Sequence, residues 1–109
     1  MKFHVRVALS AKAAIDEAIG YIAVERQAPQ AAARLLERIW DAIDSLEQWP
    51  KRCSLAPENE FRDYEIRMRL VASFLILFTV NDDARTVQVI GFRHGSRLPI
   101  DSDLPPKAE

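Results

Sequence analysis

The sequence predicts an α+β domain in the order β-α-α-β-β-β, an antiparallel helical hairpin packed on a small, mostly antiparallel sheet. Three observations carry this expectation. Two stretches in the first half repeat apolar residues at spacings of three and four, and a single short breaker separates them. After residue 64 the apolar pattern changes to alternation or to short continuous runs bounded by turn residues. With 109 residues, 49% hydrophobic and 28% charged, the chain can bury one core and is short for two. No repeat or change of composition marks a second unit. Residues 1–97 therefore read as the domain, and 98–109, with Pro99, Pro105 and Pro106 among Asp101, Ser102 and Asp103, as a loosely ordered tail.

Phe3, Val5 and Val7 fall on one face of a first strand, with His4 and Arg6 on the other. Ser10 suits the N-cap of a helix over about 11–26, whose stripe is Ile15, Ala18, Ile19 and Ile22. Gln27-Ala28-Pro29 interrupts it, since proline is disfavoured inside a helix but welcome in the first turn of a new one. In the second helix Ala32, Leu35, Leu36, Ile39, Ile43 and Leu46 form the apolar face. Arg34, Glu37, Arg38, Asp41 and Asp44 can pair on the other side. Trp49-Pro50 ends it. Residues 51–63 are polar and aperiodic, which predicts a loop or short irregular segment exposed on the surface, containing Cys53. Tyr64, Ile66, Met68 and Leu70 then alternate with Glu65, Arg67 and Arg69, so the two arginines are expected side by side opposite the core. Residues 73–80 are apolar on both faces and suit a central strand, followed by a turn at Asn81-Asp82-Asp83. The last strand, about 86–92, is expected to put Val87 and Val89 on one face and Ile90 and Phe92 on the other.

Charge narrows the function. Fifteen Lys and Arg against sixteen Asp and Glu give a net charge of -1, which argues against a globally basic nucleic-acid binder and leaves room for a local basic patch. A single cysteine cannot form an internal disulfide, and no Cys/His spacing suits zinc, so neither a metal nor a cofactor is expected. The longest apolar stretch, around Phe74 to Phe78, is far below the roughly 20 residues of a membrane-spanning helix. The expected location is the cytoplasm, without a membrane.

Several short stretches carry a resemblance. They are Ala18-Ile19-Gly20-Tyr21-Ile22-Ala23 in the first helix and Pro29-Gln30-Ala31-Ala32 opening the second. Ile43-Asp44-Ser45-Leu46 with Trp49-Pro50, then Arg67 and the closing His94-Gly95-Ser96-Arg97, complete the set. In this order and spacing, over about residues 3–97, the chain resembles the RelE/ParE superfamily of bacterial type II toxin–antitoxin toxins, also called plasmid stabilisation proteins. The ending is similar to the family's frequent His-Gly-Ala-Arg, with Ser96 for alanine. Phe74 and Phe78 stand where many relatives have tyrosines. The resemblance implies a growth-arresting toxin that needs no cofactor. It is neutralised by a cognate antitoxin in a hetero-oligomer and reaches operator DNA only through that antitoxin. RelE-like members cleave mRNA on the ribosome without a metal, whereas ParE-like members inhibit DNA gyrase. A degenerate toxin kept as an antitoxin-binding module is a further reading.

Under the ribonuclease reading the resemblance makes Arg67, His94 and Arg97 the catalytic candidates, with His94 as acid or base and the arginines on the developing phosphorane charge. Antiparallel pairing could bring the Arg67 and His94 ends together. Under the gyrase reading Arg67, Arg69, Arg93 and Arg97 form a surface for target or antitoxin. Each has a plainer role too, as a solvating charge or a strand-end hydrogen bond. Three features favour gyrase. The pI is about 6.1, there is no tyrosine after residue 64, and no lysine lies between 52 and 106 to clamp RNA phosphates.

Overall fold

The computed structural model describes residues 2–96, so Arg97 and the expected tail lie outside the described residues. The elements run β1 (His4–Val7), α1 (Leu9–Gly20), a π-helical turn (Tyr21–Glu25), α2 (Pro29–Asp44), β2 (Arg67–Val71), β3 (Phe74–Asn81) and β4 (Thr86–His94). Short 3₁₀ turns at Ser45–Glu47, Pro50–Arg52 and Pro57–Phe61 connect α2 to β2. The sheet order is β1-β4-β3-β2, with β1 parallel to β4 and the other pairs antiparallel. This is the α+β arrangement that the patterns predict. Among the described residues no helix is long and apolar enough to cross a membrane.

The first helix starts earlier than its sequence suggests. Ala8, not Ser10, is the N-cap, and no side chain caps it. The sheet fixes its start instead, since the Ala8 N–H donates to the Val89 carbonyl at 2.9 Å while the Ala8 carbonyl accepts the first helical bond, from the Lys12 N–H at 3.0 Å. At the far end the helix widens, and the Arg26 N–H reaches back five residues to the Tyr21 carbonyl. Gln27, at a left-handed φ of 52°, turns the chain into α2 with Pro29 in its first turn. Ile15, Ala32, Ile39, Ile43 and Leu46 are buried, as the stripes predict. The expected ion pairs along α2 do not form; exposed pairs of this kind gain little over hydration.

A bulge in β4 decides which way its end faces. The register shifts between Leu77 and Phe78, so Phe78 pairs with Val89 while Leu77 pairs with Gly91. Ile90 is the extra residue. Val87, Val89 and Phe92 therefore all enter the helix-side core with Ile76 and Phe78, while Ile90 joins a second cluster on the other face. The expectation of Ile90 and Phe92 on one face fails for this reason, since period-two counting cannot see an inserted residue.

Residues 51–63 are the irregular, mostly exposed segment that the sequence predicts, but part of it is built onto the sheet. Ser54–Ala56 pairs along the outer edge of β2, with the Ala56 N–H on the Ile66 carbonyl at 2.8 Å and the Met68 N–H on the Ser54 carbonyl at 3.0 Å. Ala56 and Ile66 are buried with Leu75, Leu77 and Ile90, so part of the sheet's second face is covered as well. That second core overturns the placement of the arginines. Tyr64, Ile66 and Met68 do share an apolar face, but it is the face under this connection. Arg67 and Arg69 stand opposite Phe78 and Ile76, on the face that carries the helices.

Candidate functional site

Arg67 opens β2 half-buried, and its guanidinium is used within the chain. It donates to the Cys53 carbonyl at 2.6 Å and the Lys51 carbonyl at 3.3 Å, and pairs with Glu65 at 3.2 Å. These contacts fix the segment leaving α2 against the first residue of β2. Cys53 is half-buried and packs on the helix-side core.

Arg93 is buried. The β4 bulge sends its side chain to the face away from the helices, where Glu58 of the Pro57–Phe61 turn meets it with both carboxylate oxygens. Arg93 Nε donates to Glu58 Oε2 and Nη2 to Oε1 at 3.1 Å, and Nη1 donates to the His94 carbonyl at 3.1 Å. Side-chain exposure is 7% for Arg93 and 2% for Glu58. A bidentate pair this dry holds the connection to the sheet, and the guanidinium is not displayed for a partner. Glu58 was hidden in the sequence, because nothing in an aperiodic polar stretch distinguishes it from Glu60.

His94 takes the opposite face. Its ring meets Phe74 edge-on at 5.2 Å, and Phe74 stacks on Phe92 at 5.0 Å. The Ser96 backbone N–H donates to His94 Nδ1 at 3.1 Å, with the Ser96 hydroxyl also within 2.7 Å. A backbone N–H only donates, so in the neutral ring Nδ1 is the acceptor and Nε2 carries the proton. The chain is drawn in here by the Gly95 N–H, which donates to the Ser73 carbonyl at 2.7 Å. A β-carbon on Gly95 would sit 3.2 Å from that same carbonyl oxygen.

His94 borders a cleft of about 530 Å³ between α1 and the sheet end. Ala14, Ala18, Ile22, Leu35, Phe74 and Phe92 give it apolar walls, and Glu17, Tyr21, Arg26 and Ser73 add polar groups. Tyr21 and Val24 of the π-helical turn are exposed. A smaller cleft of about 220 Å³ lies at the other side of the helix layer, where Arg69 of β2 faces Arg38 and Asp41 of α2. Tyr64 packs against the second core, and burial pushes its phenol above the ordinary value of 10.0, with Arg62 pulling in the other direction.

The strand register does not bring the Arg67 and His94 ends together. Arg67 lies in the row of Phe78 and Val89, whereas His94 lies in the row of Phe74 and Val71. Four residues along the strands and two strands across put the backbones roughly 17 Å apart, at about 3.4 Å per residue and 4.8 Å per strand. Among the described residues no group of three or more His, Cys, Asp or Glu is placed to hold a metal.

This strand, helical hairpin and three-stranded meander matches solved structures from toxin–antitoxin systems. The chromosomal ParDE system of P. aeruginosa gives a TM-score of 0.63 at 16% identity, over 85% of this chain and 96% of that one. The archaeal RelE–RelB complex of Pyrococcus horikoshii OT3 gives 0.57 at 15% identity, over 90% and 100%. The RelBE2 toxin–antitoxin complex of Mycobacterium tuberculosis gives 0.53 at 18% identity, over 86% and 99%. These likenesses define the fold, which this chain shares with proteins of those toxin–antitoxin systems. The sequence is not significantly similar to any curated protein. The family described as "ParE toxin of type II toxin-antitoxin system, parDE" matches residues 5–99, nearly the whole domain, and the chain belongs to that family.

Proposed function

We propose that this chain is the growth-arresting toxin of a toxin–antitoxin pair, neutralised by a cognate antitoxin, and that it inhibits DNA gyrase by binding rather than cutting mRNA on the ribosome. One observation carries the choice of target. The two residues that a metal-free ribonuclease would need together, Arg67 and His94, lie in rows four residues apart on strands that are not neighbours. General acid–base catalysis needs its groups within hydrogen-bond reach of one reacting centre, and charge stabilisation needs cations aimed at it. Here Arg67 holds backbone carbonyls and Arg93 holds Glu58. The match to the ParE family supports the same reading. Its place of action is the cytoplasm.

The test is a paired assay of the purified chain, with gyrase supercoiling in one tube and ribosome-bound mRNA in the other. Inhibited supercoiling with intact mRNA is the expected outcome. Cleaved mRNA with normal supercoiling would overturn it and return His94 to a catalytic role. Normal bacterial growth despite soluble expression of the antitoxin-free chain would remove the toxin reading and leave an antitoxin-binding module.

A further inference from the structure

We infer that Trp49 is the anchor by which the toxin grips its protein target, its indole entering an apolar pocket whose lip carries a carboxylate for Arg52. The inference rests on the target-binding reading above and adds the residue and the chemistry of the contact. Trp49 follows the 3₁₀ turn after α2, at the end of the helical hairpin opposite the π-helical turn and the cleft beside His94. Its backbone is left-handed, at φ 51° and ψ 51°, where a bulky side chain meets steric resistance. The side chain is 75% exposed and belongs to neither core. Tryptophan is highly buried on average. The fold thus draws no packing from the indole, and glycine would make the same left-handed turn with less strain.

The turn is nevertheless held firmly. Pro50, directly after Trp49, is buried. The Arg52 guanidinium donates to the Trp49 carbonyl at 2.9 Å and to the Gln48 carbonyl, and the Arg52 backbone N–H donates to the Trp49 carbonyl at 3.1 Å. Two residues further on, Arg67 holds the Lys51 and Cys53 carbonyls. A strained residue persists where its surroundings over-determine it, and here each constraint acts on the backbone and leaves the indole outside. A large aromatic side chain on a fixed backbone has little conformational freedom to lose on binding. Tryptophan and arginine side chains of this kind carry much of the affinity in protein interfaces.

Charge decides between a protein and a nucleic acid. Lys51 is paired with Asp82, and Lys2 with Glu47 at 3.7 Å. Arg52 meets carbonyls, which satisfy its N–H groups without neutralising it, and among the described residues it has no carboxylate partner. One uncompensated cation beside an indole matches a single carboxylate at the rim of an apolar pocket. A nucleic-acid strand stacked on the ring would call for a run of unpaired cations along its phosphates, and both neighbouring lysines are already paired.

The test compares W49G and W49F with the wild-type chain in growth arrest, gyrase supercoiling and thermal melting. W49G should melt at or above the wild-type temperature, because glycine relieves the left-handed strain, yet need at least about thirtyfold more protein to inhibit supercoiling. W49F should keep part of the inhibition. R52K, which retains the charge, should inhibit more strongly than R52Q. A W49G variant that inhibits and arrests growth like the wild type would overturn the anchor, and one that melts lower would show that the indole serves the fold instead. Labelled single-stranded DNA, bound by the wild-type chain and released by W49G, would reassign the ring to a base. Equal inhibition by R52K and R52Q would remove the carboxylate lip. Growth arrest by the wild-type chain without any effect on gyrase would sink the choice of gyrase alone, since loss of arrest in W49G still reports the anchor. A wild-type chain that does not arrest growth would remove the toxin reading and this contact together.

Discussion

Replacing Glu58 by alanine should destabilise this domain more than any exposed charge substitution. The side chain is 2% exposed and meets the 7% exposed Arg93 through two hydrogen bonds. Its removal takes from a buried guanidinium the carboxylate that neutralises it. Breaking a buried pair from one side costs about 3–5 kcal/mol, against a total stability of about 5–15 kcal/mol for a domain. For a chain near 100 residues that loss lowers the melting temperature by roughly 12–20 °C. Urea denaturation gives the free energy directly, and E58A, R93M and the double variant close a thermodynamic cycle. The double variant should be more stable than E58A, because the stranded charge is gone and an apolar side chain fills its place. The Lys51–Asp82 pair is the control, about half exposed on both sides, and D82N should cost under about 1 kcal/mol. A loss below about 1 kcal/mol in E58A, or single losses that simply add in the double variant, would refute the claim that this pair holds the connection to the sheet.

Arg67→Ala should cost about 1–3 kcal/mol in denaturation, since two carbonyls lose a charged donor. Reduced toxicity of that variant therefore counts against a target contact unless its fold is intact. The raised pKa of Tyr64 means that the folded state holds the phenolic proton more tightly than the unfolded chain does, so stability falls as the pH rises through and above about 10. Y64F should flatten that part of a stability–pH curve, and an unchanged slope would show that another group causes it. For His94, nitrogen NMR at neutral pH should find the neutral ring protonated at Nε2. S96A keeps the backbone N–H and should preserve that tautomer, and dominance of the Nδ1–H form would break the assigned hydrogen bond.

The helical half of the fold was legible because each stripe faces one core. Ile15, Ile39, Ile43 and Leu46 are buried where the three-and-four spacing puts them. The first strand was legible for the same reason, its apolar residues all packing on the helix-side core. Legibility ended where a second partner layer appeared. Tyr64, Ile66 and Met68 do alternate with charged residues, but alternation names an apolar face without saying which layer covers it. The covering layer here is the connection that composition alone reads as solvated loop, and its anchor is one buried glutamate. Arg38 escaped for a complementary reason. On a helix its position is an ordinary solvent-facing one, and only the packing of α2 beside β2 gives it Arg69 as a neighbour.

The β4 bulge links these failures to the functional reading. Neighbouring strand residues always face opposite ways, so one inserted residue exchanges the destinations of Arg93 and His94. Without it Arg93 would stand beside Phe74 at the helix-side cleft, and His94 would lie over the second core, facing Glu58. With it, the sheet end of that cleft presents the His94 ring, edge-on to Phe74, and the Arg93 cation is neutralised on the other face. Polyanion recognition depends on cations that can exchange counterions for phosphates. Of the arginines weighed above, Arg93 is buried against a carboxylate, Arg67 is tied to carbonyls and Arg69 lies beside Asp41, whereas Arg26 and Arg38 stay exposed at the clefts. Exposed beside the clefts are Tyr21, Val24 and Leu70 together with Arg26 and Arg38, apolar surface set among charges. The same inserted residue that defeats the sequence pattern thus decides which of the two side chains, Arg93 or His94, reaches the helix-side cleft.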